Sequence, residues 1–138
     1  MREVLADCPF CAPNPGLIIA EHPLAVAIRD AYPVSPGHAL VFPRRHVASW
    51  FHASPEERIA MMSLVDEVRR LLEAERRPDG YNVGINVGEA AGQTVPHVHV
   101  HLIPRYDGDV DDPSGGVRFV IPERGNYRRP GHIPSARG

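Results

Sequence analysis

Lysine is absent from this 138-residue chain, and all 15 basic residues are arginine. An arginine-only set suits bidentate grips on phosphate. Richness in alanine and proline offers a blander source, codon composition, and we read it that way. Cysteine is nearly absent too: Cys8 and Cys11 are the two. A structural disulfide is not expected of such a chain in a reducing compartment. They stand as "CPFC", a spacing that serves a redox pair or half of a zinc site. No apolar run approaches the ~20 residues that span a bilayer. The first residues, "MREVLADCPF", hold no apolar signal core. Net charge is −2, which leaves no broad basic footprint for a nucleic-acid polymer. The expectation is a soluble, cytoplasmic protein with no membrane and no nucleic-acid partner.

What is present fits one ordinary domain. Hydrophobic residues make up 43% and charged residues 23%, both usual for a globular chain. A chain of this length can bury roughly two-thirds of its unfolded surface without a disulfide scaffold. Two short apolar runs, "LIIA" at 17–20 and "LAVAI" at 24–28, read as paired strands. "PVSPG" reads as a turn, and "HALVFP" from His38 to Pro43 as a third strand. Ser54, Pro55 and Glu57 make a helix start: a cap, a proline at the first position and a capping box. Met61, Leu64, Val65, Val68, Leu71 and Leu72 then recur at helical spacing. Pro78 and Gly80 stop a helix of about 22 residues, with one apolar stripe for a sheet. Met61 and Met62 read as core filler. "YNVGINVG" and "HVHVHLI" are further strands, joined by the loop "EAAGQTVP". "VRFVI", at 117–121, reads as one more short strand. The order is strands, a long helix, then strands, so the fold class is α+β with a mostly antiparallel sheet.

His97, His99 and His101 alternate with Val98, Val100 and Leu102. On a strand such residues share one face, ~6.8 Å apart. Val98, Val100 and Leu102 would face the core under the long helix. A tetrahedral metal rarely takes three ligands from one straight strand, since ~13 Å separates the ends. The three imidazoles are therefore expected to divide into different roles. "GEAAGQT", just before them, puts glycines and a threonine where backbone N–H groups can cradle anionic oxygens. A neutral imidazole can attack phosphorus if its other nitrogen is oriented and donors hold the phosphoryl oxygens. His22, His52 and His132 read as surface residues.

"HVHVHLI" resembles the signature of the histidine triad family. Its flank "AGQTVPHVHVHLIPR" is similar to the dinucleoside polyphosphate hydrolase branch, related to the fragile histidine triad proteins. "AIRDAYPVSPGHALVFPRRH" resembles the family's nucleotide-binding strand-turn-strand, and "CPFC" its zinc-binding prokaryotic members. The matching parts run from about Cys8 to Arg105. The resemblance implies a five-stranded antiparallel sheet with one long helix and a short one, usually in a homodimer. Residues 1–105 would be the core domain, and 106–138 a loop or tail segment packed on or near the active site.

The resemblance also implies roles. His99 matches the nucleophile that becomes a nucleotidyl-histidine. His101 matches the histidine on the transferred phosphate, and His38 one near the same site. Asp30 matches the residue that binds ribose hydroxyls. Asn86 and Thr94 match side chains on α-phosphate oxygens, assisted by Gln93. Apolar residues near Leu17, Ile18 and Ile28 would enclose the base. Cys8, Cys11, His46 and His97 match a structural zinc site, one per chain. The implied function is hydrolysis of dinucleoside polyphosphates, such as diadenosine tetraphosphate, at the α-phosphate. The alternatives are a phosphorylase or nucleotidyltransferase, a nucleoside phosphoramidase, or a non-catalytic nucleotide-binding module. A zinc-stabilised redox or interaction protein is a further rival. The phosphoramidase branch carries a tryptophan- and proline-rich C-terminus. This chain has "YDGDVDDPSGG" there, and its one tryptophan is Trp50, which speaks against that branch.

Overall fold

A computed structural model describes residue 5 and residues 7–128. It divides into two units, Met1–Arg105 and Tyr106–Gly138. The first holds five strands: β1 (Ile18–His22), β2 (Ala25–Arg29), β3 (Ala39–Pro43), β4 (Gly80–Ile85) and β5 (Val100–Arg105). One helix, α1 (Pro55–Arg76), lies between β3 and β4 in sequence. Among the described residues of this unit, single 3-10 turns stand at Pro15–Leu17, Trp50–His52 and Glu89–Ala91, in place of one further short helix. The strands form one antiparallel sheet in the order β1-β2-β3-β5-β4.

Strand alternation gives the sheet two different faces. Ala27, Val41, Val100 and Leu102 meet Met61, Leu64 and Val68 of α1 in one core cluster. Val26, Ile28, Leu40 and Phe42 point the other way and pack with Cys8 and Phe10. So α1 covers one face and the cysteine loop covers the other. His101 pairs with Leu40 in the β3–β5 register, which turns its side chain toward the cysteine loop and away from α1.

The helix starts where its cap chemistry starts it. Ser54 Oγ accepts from Glu57 N at 3.1 Å, and Glu57 Oε1 accepts from Ser54 N at 2.8 Å. Each buried apolar side chain of its stripe contributes roughly 1.5–3 kcal/mol. Two expectations differ: Leu71, of the expected stripe, is 43% exposed, and Met62, read as core filler, is 38% exposed. Both sit a residue off the row formed by Met61, Leu64, Val68 and Leu72. The helix ends at Arg76, before Arg77 in the left-handed conformation, because Pro78 forbids continuation.

Two expected strands change. The last strand begins at Val100, so His97, in a bend, and His99 precede it. The pairing with β3 runs only as far as Val41–Val100, although Phe42 and Pro43 follow, and β4 ends at Ile85 opposite Val100; His97 takes the Pro43 carbonyl with its ring, at 2.7 Å. "VRFVI" is not a strand: Gly116–Val120 is a 3-10 helix in the second unit. There Arg118 donates to the carbonyls of Gly125 and Arg124 at 3.1 and 3.0 Å. Its guanidinium also lies 5.2 Å from the centre of the Tyr127 ring. Those contacts need a coiled chain and not an extended one. His132 lies outside the described residues, as does the chain from 129 onward.

Candidate active site

The three histidines separate, and each has its own set of contacts. His97 is fully buried. Its Nε2 lies 2.7 Å from the Pro43 carbonyl oxygen. A carbonyl only accepts, so Nε2 carries the hydrogen and Nδ1 keeps a free lone pair. That lone pair faces Cys8 Sγ at 3.3 Å and Cys11 Sγ at 3.6 Å. His46 Nδ1 is 3.3 Å from Cys11 Sγ. The four ligand atoms of Cys8, Cys11, His46 and His97 all lie within 4.8 Å of one another. Bonds of ~2.3 Å to sulfur and ~2.0 Å to nitrogen, drawn tetrahedrally, put S and N about 3.5 Å apart. The cluster therefore fits a four-coordinate ion, with the right tautomer on His97. Burial holds the His97 imidazolium down to about 4, against the opposing pull of the Pro43 carbonyl; a neutral ring is the form a metal needs.

His99 is also buried. Its Nδ1 is 2.9 Å from the carbonyl oxygen of His97. The same logic applies: Nδ1 carries the hydrogen, and Nε2 keeps its lone pair. The ring lines a cavity of about 650 Å³, a volume usual for small-ligand sites.

His101 belongs to a chain of hydrogen bonds. Val34 N donates to His38 Nδ1 at 3.1 Å. That nitrogen is thus an acceptor, so His38 Nε2 carries the hydrogen and meets His101 Nδ1 at 3.0 Å. His101 Nδ1 accepts, which leaves the His101 Nε2–H as a donor. Asp30 Oδ2 is 3.4 Å from the same His38 Nε2. Burial lowers the pKa of His101 to about 4, helped by repulsion from His99 and His38 and opposed by Asp30. Burial also lowers His38, and Asp30 opposes it there. Asp30, His38 and His101 are close enough to be considered for a metal. The Val34 N–H argues against it: a neutral His38 bound through Nε2 would need its hydrogen on Nδ1, facing another N–H.

The cavity gathers Asp30, His38, Thr94, His99 and His101, with Leu17 and Ile28 on its apolar side. Ile18 does not join it; it lines a different cavity beside Arg29 and Leu72. Asn86 and Gln93 are not in its lining. Gln93 uses its amide to hold the loop. Its Oε1 accepts from Gly88 N at 2.9 Å, and its Nε2 donates to Ala48 O at 2.7 Å and Val95 O at 3.0 Å. His22 accepts from Leu24 N through Nδ1 at 3.0 Å, and His52 is exposed. The turn before His38 depends on Gly37, whose φ is +91° and whose added Cβ would lie 2.7 Å from Leu72 Cδ2. That close approach seats the strand start, and His38 with it, on the helix. Phe10 and Val34 were not singled out in the sequence. Phe10 was signalled only by its place between two cysteines; Val34 acts through its backbone, which no side chain announces.

A buried imidazole with a free lone pair thus stands beside an imidazole donor and a carboxylate in one cavity of an α+β fold. The chain belongs to the histidine triad family: the HIT domain model matches residues 12–108. It is 34% identical over 120 residues to a protein named AP-4-A phosphorylase from Mycobacterium tuberculosis, covering 85% of this chain and 61% of that one. The chain thus spans about three-fifths of the length of this relative. It is 39% identical over 89 residues to a Schizosaccharomyces pombe protein named bis(5'-nucleosyl)-tetraphosphatase [asymmetrical], covering 64% of this chain and 49% of that one. A zinc-bound histidine triad protein from Mycobacterium smegmatis superposes with a TM-score of 0.68 at 32% identity, over 83% of this chain and 90% of that one.

Proposed function

We propose that the protein hydrolyses dinucleoside polyphosphates, such as diadenosine tetraphosphate, by two-step nucleotidyl transfer. The observation that carries this is the pair of opposite tautomers in one cavity. His99 offers a lone pair at Nε2, and His101 offers a hydrogen at Nε2. His99 Nε2 attacks the α-phosphorus; a P–N bond forms and the bridging P–O bond breaks. Thr94 and the His101 N–H hold the equatorial oxygens, the positioning from which such transfers gain most of their rate. Asn86, outside the cavity lining, is a further candidate for those oxygens. Asp30, in the same lining, accepts from ribose hydroxyls, and Leu17 and Ile28 enclose a purine base. Water then breaks the P–N bond and releases a nucleoside monophosphate. Gln93 serves the same step indirectly, through the loop it ties down.

The named relatives support this substrate class: one is a phosphorylase and one a tetraphosphatase. The phosphorylase favours a second reading, in which inorganic phosphate replaces water and the product is a nucleoside diphosphate. Product analysis with and without added phosphate separates the two. Adenosine monophosphate in both reactions supports the hydrolase; diphosphate appearing only with phosphate supports the second reading.

Cys8, Cys11, His46 and His97 would hold one structural zinc per chain. With four protein ligands it supplies a tie between the N-terminal loop and the active segment, with no open position for chemistry. Free thiols kept for a metal suit a reducing compartment, and we place the protein in the cytoplasm. No helix among the described residues is long and apolar enough to cross a membrane. We also place a second copy along β4. That strand has one neighbour in the sheet and carries Val83, 47% exposed, on its surface.

A further inference from the structure

Phe10 lies between the two cysteines of the metal-ready cluster, in a loop that belongs to no strand or helix. It is nevertheless buried, at 8% exposure. Its ring stacks on Phe42 of β3, with centroids 4.5 Å apart and an interplanar angle of 19°. The same ring meets His97 at 5.8 Å and 89°, and His99 at 5.0 Å and 61°. It also lines the cavity that His99 lines. One aromatic side chain thus touches the metal ligand, the nucleophile of the proposed reaction and the ligand space.

The His99 ring needs such a contact. Its one hydrogen bond among the described residues, from Nδ1 to the His97 carbonyl at 2.9 Å, sets the tautomer but does not by itself stop the ring rocking about that bond. A rocking ring moves Nε2, the atom that must lie in line with phosphorus. The rings that touch it are His101 at 5.1 Å and Phe10 at 5.0 Å. Phe10 in turn depends on its loop. The loop's own backbone bonds are Cys8 N to Leu5 O at 3.2 Å and Ala12 N to Cys8 O at 3.3 Å, both within the N-terminal segment. The packing of Phe10 with Cys8 and Cys11 and the convergence of the two cysteines on His46 and His97 join it to the rest of the fold.

We propose that Phe10 is a positioning residue: the metal-held cysteine loop sets its ring edge-on against His99 and keeps the attacking imidazole aimed into the cavity. This rests on the reading of His99 as nucleophile. It gives the structural metal a path to the reaction, through a side chain and not through a bond to substrate. A small misplacement of a reacting atom can cost about a hundredfold in rate, so the effect belongs in kcat. A wall that merely held the base would act on KM.

The test uses the zinc-loaded full chain and the variants Phe10→Leu and Phe10→Tyr. Three things are measured in each: metal content, the ring nitrogen signals of His99 by NMR without nucleotide, and kcat and KM with diadenosine tetraphosphate. For Phe10→Leu the expected result is unchanged metal, a His99 signal broadened or split, and kcat down by about tenfold or more with KM within about threefold. Phe10→Tyr, which keeps the ring, should restore both the sharp signal and most of kcat. Unaltered His99 signals in Phe10→Leu overturn the proposal. So does a raised KM with normal kcat, and so does a loss in Phe10→Leu that Phe10→Tyr does not repair. If the parent chain turns over no nucleotide, the functional reading fails, while the NMR signals still decide whether Phe10 holds the ring.

Discussion

His99 and His101 sit two residues apart and are set to opposite duties by what touches their Nδ1 atoms. A carbonyl makes His99 Nδ1 a donor; His38 makes His101 Nδ1 an acceptor. Removing the donor should hurt less than removing the nucleophile. His101→Ala should lower kcat by about 10²–10³-fold, the range found when one oxyanion-type donor is lost. Steady-state turnover of diadenosine tetraphosphate checks it; a loss under tenfold would deny His101 that duty. Burial also makes a prediction about acid. His101 stays neutral down to about 4, while an unfolded histidine binds its proton near 6.5. Between those values the unfolded chain holds more protons, so stability rises with pH across that window and falls as pH drops through it. The lowered pKa of His38 adds the same sign. Urea midpoints should fall from about pH 7 to about pH 5, with a shallower fall in His101→Asn. An equal slope in that variant would contradict the assignment. The alternation of the histidines showed that they would part company, but not how. Tautomers are set by the Val34 N–H and the His97 and Pro43 carbonyls, backbone groups that side-chain pattern does not reveal.

Elements carry these residues into place. Glu57 serves both ends of one junction: it completes the capping box of α1 and takes Arg45 in two hydrogen bonds at 2.8 and 3.1 Å. Arg45 precedes His46, so the pair ties the metal-ready cluster to the helix start. Burial raises the Glu57 carboxyl, but Arg45 and Ser54 together outweigh it and leave its pKa lowered. Glu57→Ala should destabilise the protein by about 2 kcal/mol or more, from the lost cap and the stranded partners. Equilibrium urea unfolding measures it, and a change under about 0.5 kcal/mol would show the junction to be slack. The capping box was legible because Ser54, Pro55 and Glu57 are neighbours in sequence. The start of β5 was not, since Val100 is where β4 ends opposite it at Ile85 and where the pairing with β3 stops, and neither partner is a sequence neighbour. "VRFVI" misled for a like reason: its β-branched residues read as a strand, but Arg118 draws the chain into a coil onto the carbonyls of Arg124 and Gly125.

The whole molecule joins a sheet with two covered faces to a cluster that links its N-terminus to its active segment. The helix face supplies the apolar core, and the other face holds the histidines, the cavity and the cysteine loop. Native mass spectrometry should therefore find a dimer carrying two zinc ions, one per Cys₂His₂ site. A folded, metal-free species would remove the zinc, and a monomer at working concentration would remove the second copy along β4. Fold class could be read from the pattern of elements, and the grouping of Cys8, Cys11, His46 and His97 came from the family resemblance. The cavity could not, because it is assembled from the 9–17 segment, β2, the turn at 30–38, β3 and the 94–101 segment together.

The most direct test is to mix the protein with diadenosine tetraphosphate, quench within one turnover in base, and map the modified peptide by mass spectrometry. One adenylyl group on His99, absent in His99→Asn along with turnover, is the predicted result. Label on another residue, or brisk hydrolysis by His99→Asn, would contradict it.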